Sequence, residues 1–138
     1  MCIRDRNFQY CHIGDLQAPI ASGTFPTRGM AIIPCSMSTV ASIRCGISDN
    51  LLKRGADVML KEKRPLIIVP RETPLTEIHL ENLMVLARMG ATIIPPVPPF
   101  YLGIEKINDM ADYIGERVLL ALGLIKVLPS NMQYDGAE

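Results

Sequence analysis

The sharpest chemistry in the chain sits where an apolar run stops. In "KRPLIIVPRETPL", Lys63 to Leu75, the run ends on Arg71 and Glu72. A guanidinium fork fits phosphate or carboxylate oxygens bidentately. The carboxylate beside it is then either an ionised base that handles a proton or simply the salt-bridge mate of Arg71. Strand ends meet water in any protein, so charge there has a plain explanation too. A second group is "CSMST", where Ser36, Ser38 and Thr39 stand at the entry to a helix. Their hydroxyls cap the helix, and the remaining amides can point at a phosphate or a flavin edge. Arg54 and Lys61 lie seven residues apart on one expected helix, on one face and roughly 10 Å apart along its axis. They could grip one anion from two sides or from two subunits. "PPVPPFY" is a stiff segment that holds Phe100 and Tyr101 as an aromatic wall with one phenolic donor. Arg117 interrupts the apolar face of the last helix: facing inward it wants an anion, snorkelling it does not. Lys63 and Arg64 read as ordinary helix C-terminal charges.

These residues need a scaffold, and the sequence supplies a rhythm. "MAIIPC" is a strand, and "SMSTVASIRCGISDNLLKRGADVMLKEK" after it reads as one long helix-like stretch. "PLIIVP" is a second strand, followed by "TEIHLENLMVLARMG", with Ile78, Leu83, Leu86 and Met89 at helical intervals and Gly90 as a left-handed cap. Ala91 to Ile94 is a third, brief strand. A helix near Asn108 to Leu122 then carries Ile107, Met110, Ile114 and Val118 on one face and stops at Gly123. Strands that lack alternation and are joined by helices call for a parallel sheet covered on both faces. The fold class is α/β, a three-layer Rossmann-like or flavodoxin-like sheet. In such sheets ligands bind at the carboxyl ends of the strands, so the loops Cys35–Thr39, Arg71–Leu75 and Pro95–Tyr101 should form the crevice. Only three strands are evident where about five are usual, and the sheet is expected to be incomplete at its N-terminus.

With 138 residues and 49% apolar content the chain is one domain's worth. Lys plus Arg and Asp plus Glu are both 14, so no global field favours nucleic acid or an anionic membrane. Its apolar runs are far too short to span a bilayer, and nothing near Met1 resembles a secretion signal, which makes a cytoplasmic home the expectation. Four cysteines without C-x-x-C spacing and two histidines make no convincing zinc set, so no metal is expected and the thiols read as reduced. Residues 1–6, "MCIRDR", look like adapter-derived sequence; 7–123 form the domain, and the 124–138 tail is expected to be mobile.

"APIASGTF", the stretch from "IPCSMST" to "IVPRETPL", and "GATIIPPVPPFY" closely resemble the flavin prenyltransferase family, UbiX-like enzymes formerly called phenylacrylic acid decarboxylases. The resemblance implies that Ser36, Met37, Ser38, Thr39 and Arg71 contact FMN. It implies that Arg54, Lys61, Tyr101 and Arg117 hold the phosphate of dimethylallyl monophosphate, with Glu72 as the proton-handling group. It further implies a metal-independent transfer of the dimethylallyl unit to reduced FMN, a dodecameric homo-oligomer, and a product passed to UbiD-like decarboxylases. The family's first strand and its Gly-Ser-rich phosphate turn have no counterpart here, so this chain by itself is expected to be weakly active or inactive. Two alternatives stand beside this reading: a flavin-dependent decarboxylase of the same superfamily, and a non-catalytic flavin-binding module.

Overall fold

The computed structural model describes residues 8–103 and 105–134, so residues 1–6 lie outside the described part. Strands β1 (Met30–Cys35), β2 (Leu66–Pro70) and β3 (Thr92–Ile93) form one parallel sheet in the order β1-β2-β3. Helices α1 (Met37–Arg44) and α2 (Leu51–Lys61) connect the first two strands, α3 (Glu77–Arg88) connects the second and third, and α4 (Ile107–Ala121) follows. The expected α/β class with helices on both faces is therefore what the chain forms.

β2 explains the layering. All five of its residues are buried, yet successive side chains of a strand point to opposite faces. Leu66 and Ile68 join Ile32, Cys35, Val40, Ile43, Val58 and Leu86 in a core roofed by α1, α2 and α3. Ile67 and Val69 join only Ile114 and Val118 of α4 on the other side. Each such side chain contributes about 1.5–3 kcal/mol by leaving water. Parallel pairing holds the register, Met30 with Leu66, Ala31 with Ile67 and Ile32 with Ile68, before an irregularity near Pro34.

Two expectations need correcting. The stretch after β1 is two helices, because Gly46 adopts a left-handed φ of 72° and the Asn50 side chain starts a new helix by accepting from the Lys53 amide at 2.9 Å. The inward stripes are also narrower than periodicity indicates. On α3, Asn82 and Leu86 are buried while Ile78 is 68% exposed and Met89 47%. On α4, Ile114 and Val118 are buried while Ile107 is 81% exposed. A sheet of three strands is too small to cover a wide helical face. In the tail, which is mostly exposed, Ser130–Met132 make a 3-10 turn, Gln133 Nε2 donates to the Leu128 carbonyl at 2.6 Å, and the Tyr134 ring meets Tyr101 edge-on at 5.9 Å.

Candidate functional site

The three loops named from the sequence converge. At the carboxyl edge of the sheet a cleft of ≈ 690 Å³ is lined by Ser36 after β1, by Arg71, Glu72, Thr73 and Leu75 after β2, and by Pro95, Pro96, Val97 and Pro98 after β3, with Leu83 of α3. The exits of the first two strands are tied together, since the Arg71 amide donates to the Cys35 carbonyl at 3.0 Å.

Ser36 is the N-cap of α1. Its Oγ accepts from the Thr39 amide at 3.3 Å and lies 3.0 Å from both Ser38 Oγ and Thr39 Oγ1. Three hydroxyls thus crowd one helix N-terminus, where partial positive charge gathers. Met37 turns its side chain into the core, so only its backbone faces the loop. Cys35, one residue upstream, is a poor nucleophile: burial pushes its thiol up to about 11, and its Sγ donates to the Ser36 carbonyl at 3.6 Å.

Arg71 and Glu72 share the cleft but form no ion pair with each other among the described residues. The Glu72 carboxylate accepts from the Thr73 amide at 3.2 Å instead. The salt-bridge reading of this pair therefore fails among the described residues. Both are exposed in the single chain.

The other four candidates line no part of this cleft. Arg54 donates from Nε to the Ala21 carbonyl at 3.1 Å and pairs with Asp57 at 3.0 Å, and Lys61 pairs with Glu62 at 3.1 Å. Both lie toward the Ala21–Gly23 turn: Lys61 Nζ is 3.0 Å from where a Cβ on Gly23 would stand. Tyr101 and Arg117 are exposed beyond the proline segment, on the α4 side. The candidates therefore fall into three groups on one chain.

Two residues were missed. Arg64 is no mere helix-end charge: its guanidinium clamps the lead-in by donating to the carbonyls of Gly23 at 2.7 Å and Phe25 at 2.8 Å and to Thr27 Oγ1 at 3.0 Å. Tyr113, packed against the Ile67–Val69 cluster, has its ionisation raised, by desolvation first and then by its interaction with Tyr101, and Arg117 opposes the rise. The spacing of Tyr113 and Arg117, four residues apart on one helix, was the available signal. A separate cavity of ≈ 300 Å³, lined by residues such as Ile13, Ile20, Phe25 and Leu52, has no charged wall. Among the described residues no His, Cys, Asp or Glu group is placed to hold a metal ion, and no helix is long and apolar enough to cross a membrane.

The chain is similar to known proteins. The chain is 52% identical over 120 residues to "Flavin prenyltransferase UbiX" of Halalkalibacterium halodurans, covering 87% of this chain and 58% of that protein. It is 52% identical over 108 residues to a "Probable UbiX-like flavin prenyltransferase" of a Streptomyces species, covering 78% and 54%. The chain thus spans little more than half the length of these relatives. A dodecameric FMN-dependent UbiX-like decarboxylase from Escherichia coli O157:H7 superposes with a TM-score of 0.84 at 48% identity, over 90% of this chain and 66% of that one. AnUbiX (PadA1), solved with FMN and dimethylallyl pyrophosphate, gives 0.84 at 45% identity, over 91% and 66%. The Flavoprotein family profile matches residues 3–119, and the chain belongs to the Flavoprotein family.

Proposed function

We propose that the protein containing this chain is a flavin prenyltransferase that moves a dimethylallyl group from dimethylallyl monophosphate to reduced FMN. The observation that carries the reading is the convergence of Ser36, Arg71 and Glu72 in one cleft at the carboxyl edge of a parallel sheet. The cleft suits FMN chemically. Prolines, Leu75, Leu83 and Val97 offer flat apolar walls, and the Ser36–Ser38–Thr39 hydroxyls with the Arg71 guanidinium offer polar contacts for a ring edge.

Reduced FMN, when bound, supplies the electron-rich ring atoms that accept the dimethylallyl unit. The chain's residues do the rest. Arg54, Lys61, Tyr101 and Arg117 hold the phosphate and stabilise the negative charge that grows on it as the allylic C–O bond breaks. Glu72 takes up or returns a proton at its carboxylate, and its bond from the Thr73 amide fixes the carboxylate's direction. No metal is needed, because four donors can neutralise a leaving phosphate.

The separation of Arg54 and Lys61 from the cleft supports assembly: a neighbouring copy would bring its cations to this copy's cleft, in a homo-oligomer like the dodecameric relative. Exposed apolar side chains such as Ile78, Met84 and Ile107 give such a copy surface to bury. The product would pass to a UbiD-like decarboxylase in the cytoplasm.

The test is direct. The whole protein is mixed anaerobically with reduced FMN and dimethylallyl monophosphate, and the flavin is weighed by mass spectrometry. A gain of one dimethylallyl unit is expected, and Glu72→Gln should slow it about 10²-fold or more. An unchanged flavin mass in the wild type sinks the reading.

A further inference from the structure

Three cations on and just after α2 lean on one short stretch of the lead-in. Arg54 donates from Nε to the Ala21 carbonyl at 3.1 Å. Lys61, paired with Glu62 at 3.1 Å, lies over Gly23, where a Cβ would run into the Glu62 carboxylate and stand 3.0 Å from Lys61 Nζ. Arg64 holds the stretch most firmly, its two terminal nitrogens reaching the Gly23 carbonyl at 2.7 Å, the Phe25 carbonyl at 2.8 Å and Thr27 Oγ1 at 3.0 Å. Lys63 makes this reach possible. Its left-handed φ of 54° lets the Lys63 and Arg64 amides donate back to the Leu60 and Met59 carbonyls at 3.2 and 2.9 Å, which reverses the chain at the helix end. Arg64 is thereby returned to the stretch beside which Lys61 stands.

None of residues 21–27 is buried, so apolar packing does not fix this stretch and hydrogen bonds must. A guanidinium that spans two carbonyls and a hydroxyl sets direction as well as distance, which a rotating ammonium does not. We infer that Arg64 is a positioning residue for the phosphate grip: by pinning residues 23–27 it fixes the backbone on which Arg54 rests and over which Lys61 stands, and so sets where those two cations meet the leaving phosphate. The terminal nitrogens of Arg64 are turned to the lead-in, so it acts through Arg54 and Lys61 and not on the phosphate. Gly23 belongs to the same device, since its missing side chain leaves the space that the Lys61–Glu62 pair occupies.

This inference rests on the prenyltransferase reading, and its test separates the two. In the whole protein Arg64→Lys keeps the charge and loses the fork. It should raise KM for dimethylallyl monophosphate about tenfold, with kcat, FMN affinity and melting temperature near those of the wild type. Gly23→Ala should raise KM in the same way, because a methyl group there displaces Lys61 while Arg64 stays intact. In an Arg54→Ala/Lys61→Ala background, Arg64→Lys should raise KM no further, since the groups it positions are gone. Apart from activity, calorimetry of inorganic phosphate binding to the FMN-loaded protein should show a similar weakening in Arg64→Lys. A wild-type protein that prenylates FMN together with an Arg64→Lys variant of unchanged KM and phosphate binding overturns the inference alone. So do effects that multiply in the doubly substituted background. An Arg64→Lys variant that loses FMN affinity and melting temperature in step with KM overturns it too, because a merely structural clamp would behave so. A wild-type protein that leaves FMN unchanged overturns the underlying reading and this inference with it.

Discussion

The two faces of β2 are built differently. On one, Leu66 and Ile68 lie under α1, α2 and α3 in a cluster that reaches from Ile32 to Ala91. On the other, Ile67 and Val69 meet α4 alone, with Ala31, Tyr113 and Leu122 only partly buried at the margins and Ile33 of β1 50% exposed. The thick face consists of apolar side chains in mutual contact, with the Ser36, Ser38 and Thr39 hydroxyls at the N-terminus of its helix α1 beside the cleft. The thin face carries Tyr113 at its margin. Most of the core thus lies on one side of a single strand: a residue on the thin side can shift without opening the main core.

The largest test of this division removes equal volume from each face. Ile68→Ala leaves a cavity closed in by three helices that cannot all move inward, and should cost near the top of the roughly 2–5 kcal/mol range for such truncations. Ile114→Ala removes a comparable side chain where α4 can settle toward the sheet, and should cost near the bottom of that range. Urea unfolding of the two variants measures both. Equal costs would mean that the faces are equivalent.

How far the sequence foretold this asymmetry depends on the element. β1 was legible to the residue and β2 to within one residue, because short apolar runs bounded by Gly29 or Arg64 and by polar loops leave little choice. The convergence of Ser36, Arg71 and Glu72 was legible as well, since parallel topology sends all strand exits to one edge. The break at Gly46 was not, because α1 and α2 are each amphipathic and only the Asn50 cap marks the restart. Nor was the exposure of Ile78 and Ile107: periodicity reports which side of a helix is apolar, not whether anything lies opposite. The absent Arg71–Glu72 pair and the scatter of Arg54, Lys61, Tyr101 and Arg117 depend on side-chain direction and on what a second copy supplies, which motif order does not encode.

A smaller effect probes the thick face through pH. Cys35 is 1% exposed, and its thiol is pushed from 9.0 to about 11 by desolvation. The folded state therefore holds this proton more tightly than the unfolded state does. The resulting stability is fully present below about pH 9 and is lost as pH climbs toward 11, on the order of 2–3 kcal/mol in all. The difference in unfolding free energy between wild type and Cys35→Ala should narrow or reverse across that window. In addition, an alkylating reagent at pH 7 should modify the exposed Cys45 and spare Cys35. A wild-type-minus-variant difference that stays flat from pH 8 to 11 would show that the thick face admits water or charge more readily than its packing implies.

The smallest effect is on the thin side, where Tyr134 leans on Tyr101. An edge-to-face aromatic pair contributes about 0.5–1.5 kcal/mol beyond area burial, and a pair this exposed belongs at the lower end. Tyr134→Ala should therefore leave urea unfolding almost unchanged, in contrast with Ile68→Ala. What it should change is local. With that contact gone, Tyr101 and the tail from Leu128 onward both lose their aromatic anchor among the described residues. Amide exchange in residues 128–134 and in the Phe100–Leu102 turn should accelerate together while that of β2 stays fixed. Acceleration that extended to β2 would mean that the thin face is mechanically part of the core, and that the division across the strand does not exist.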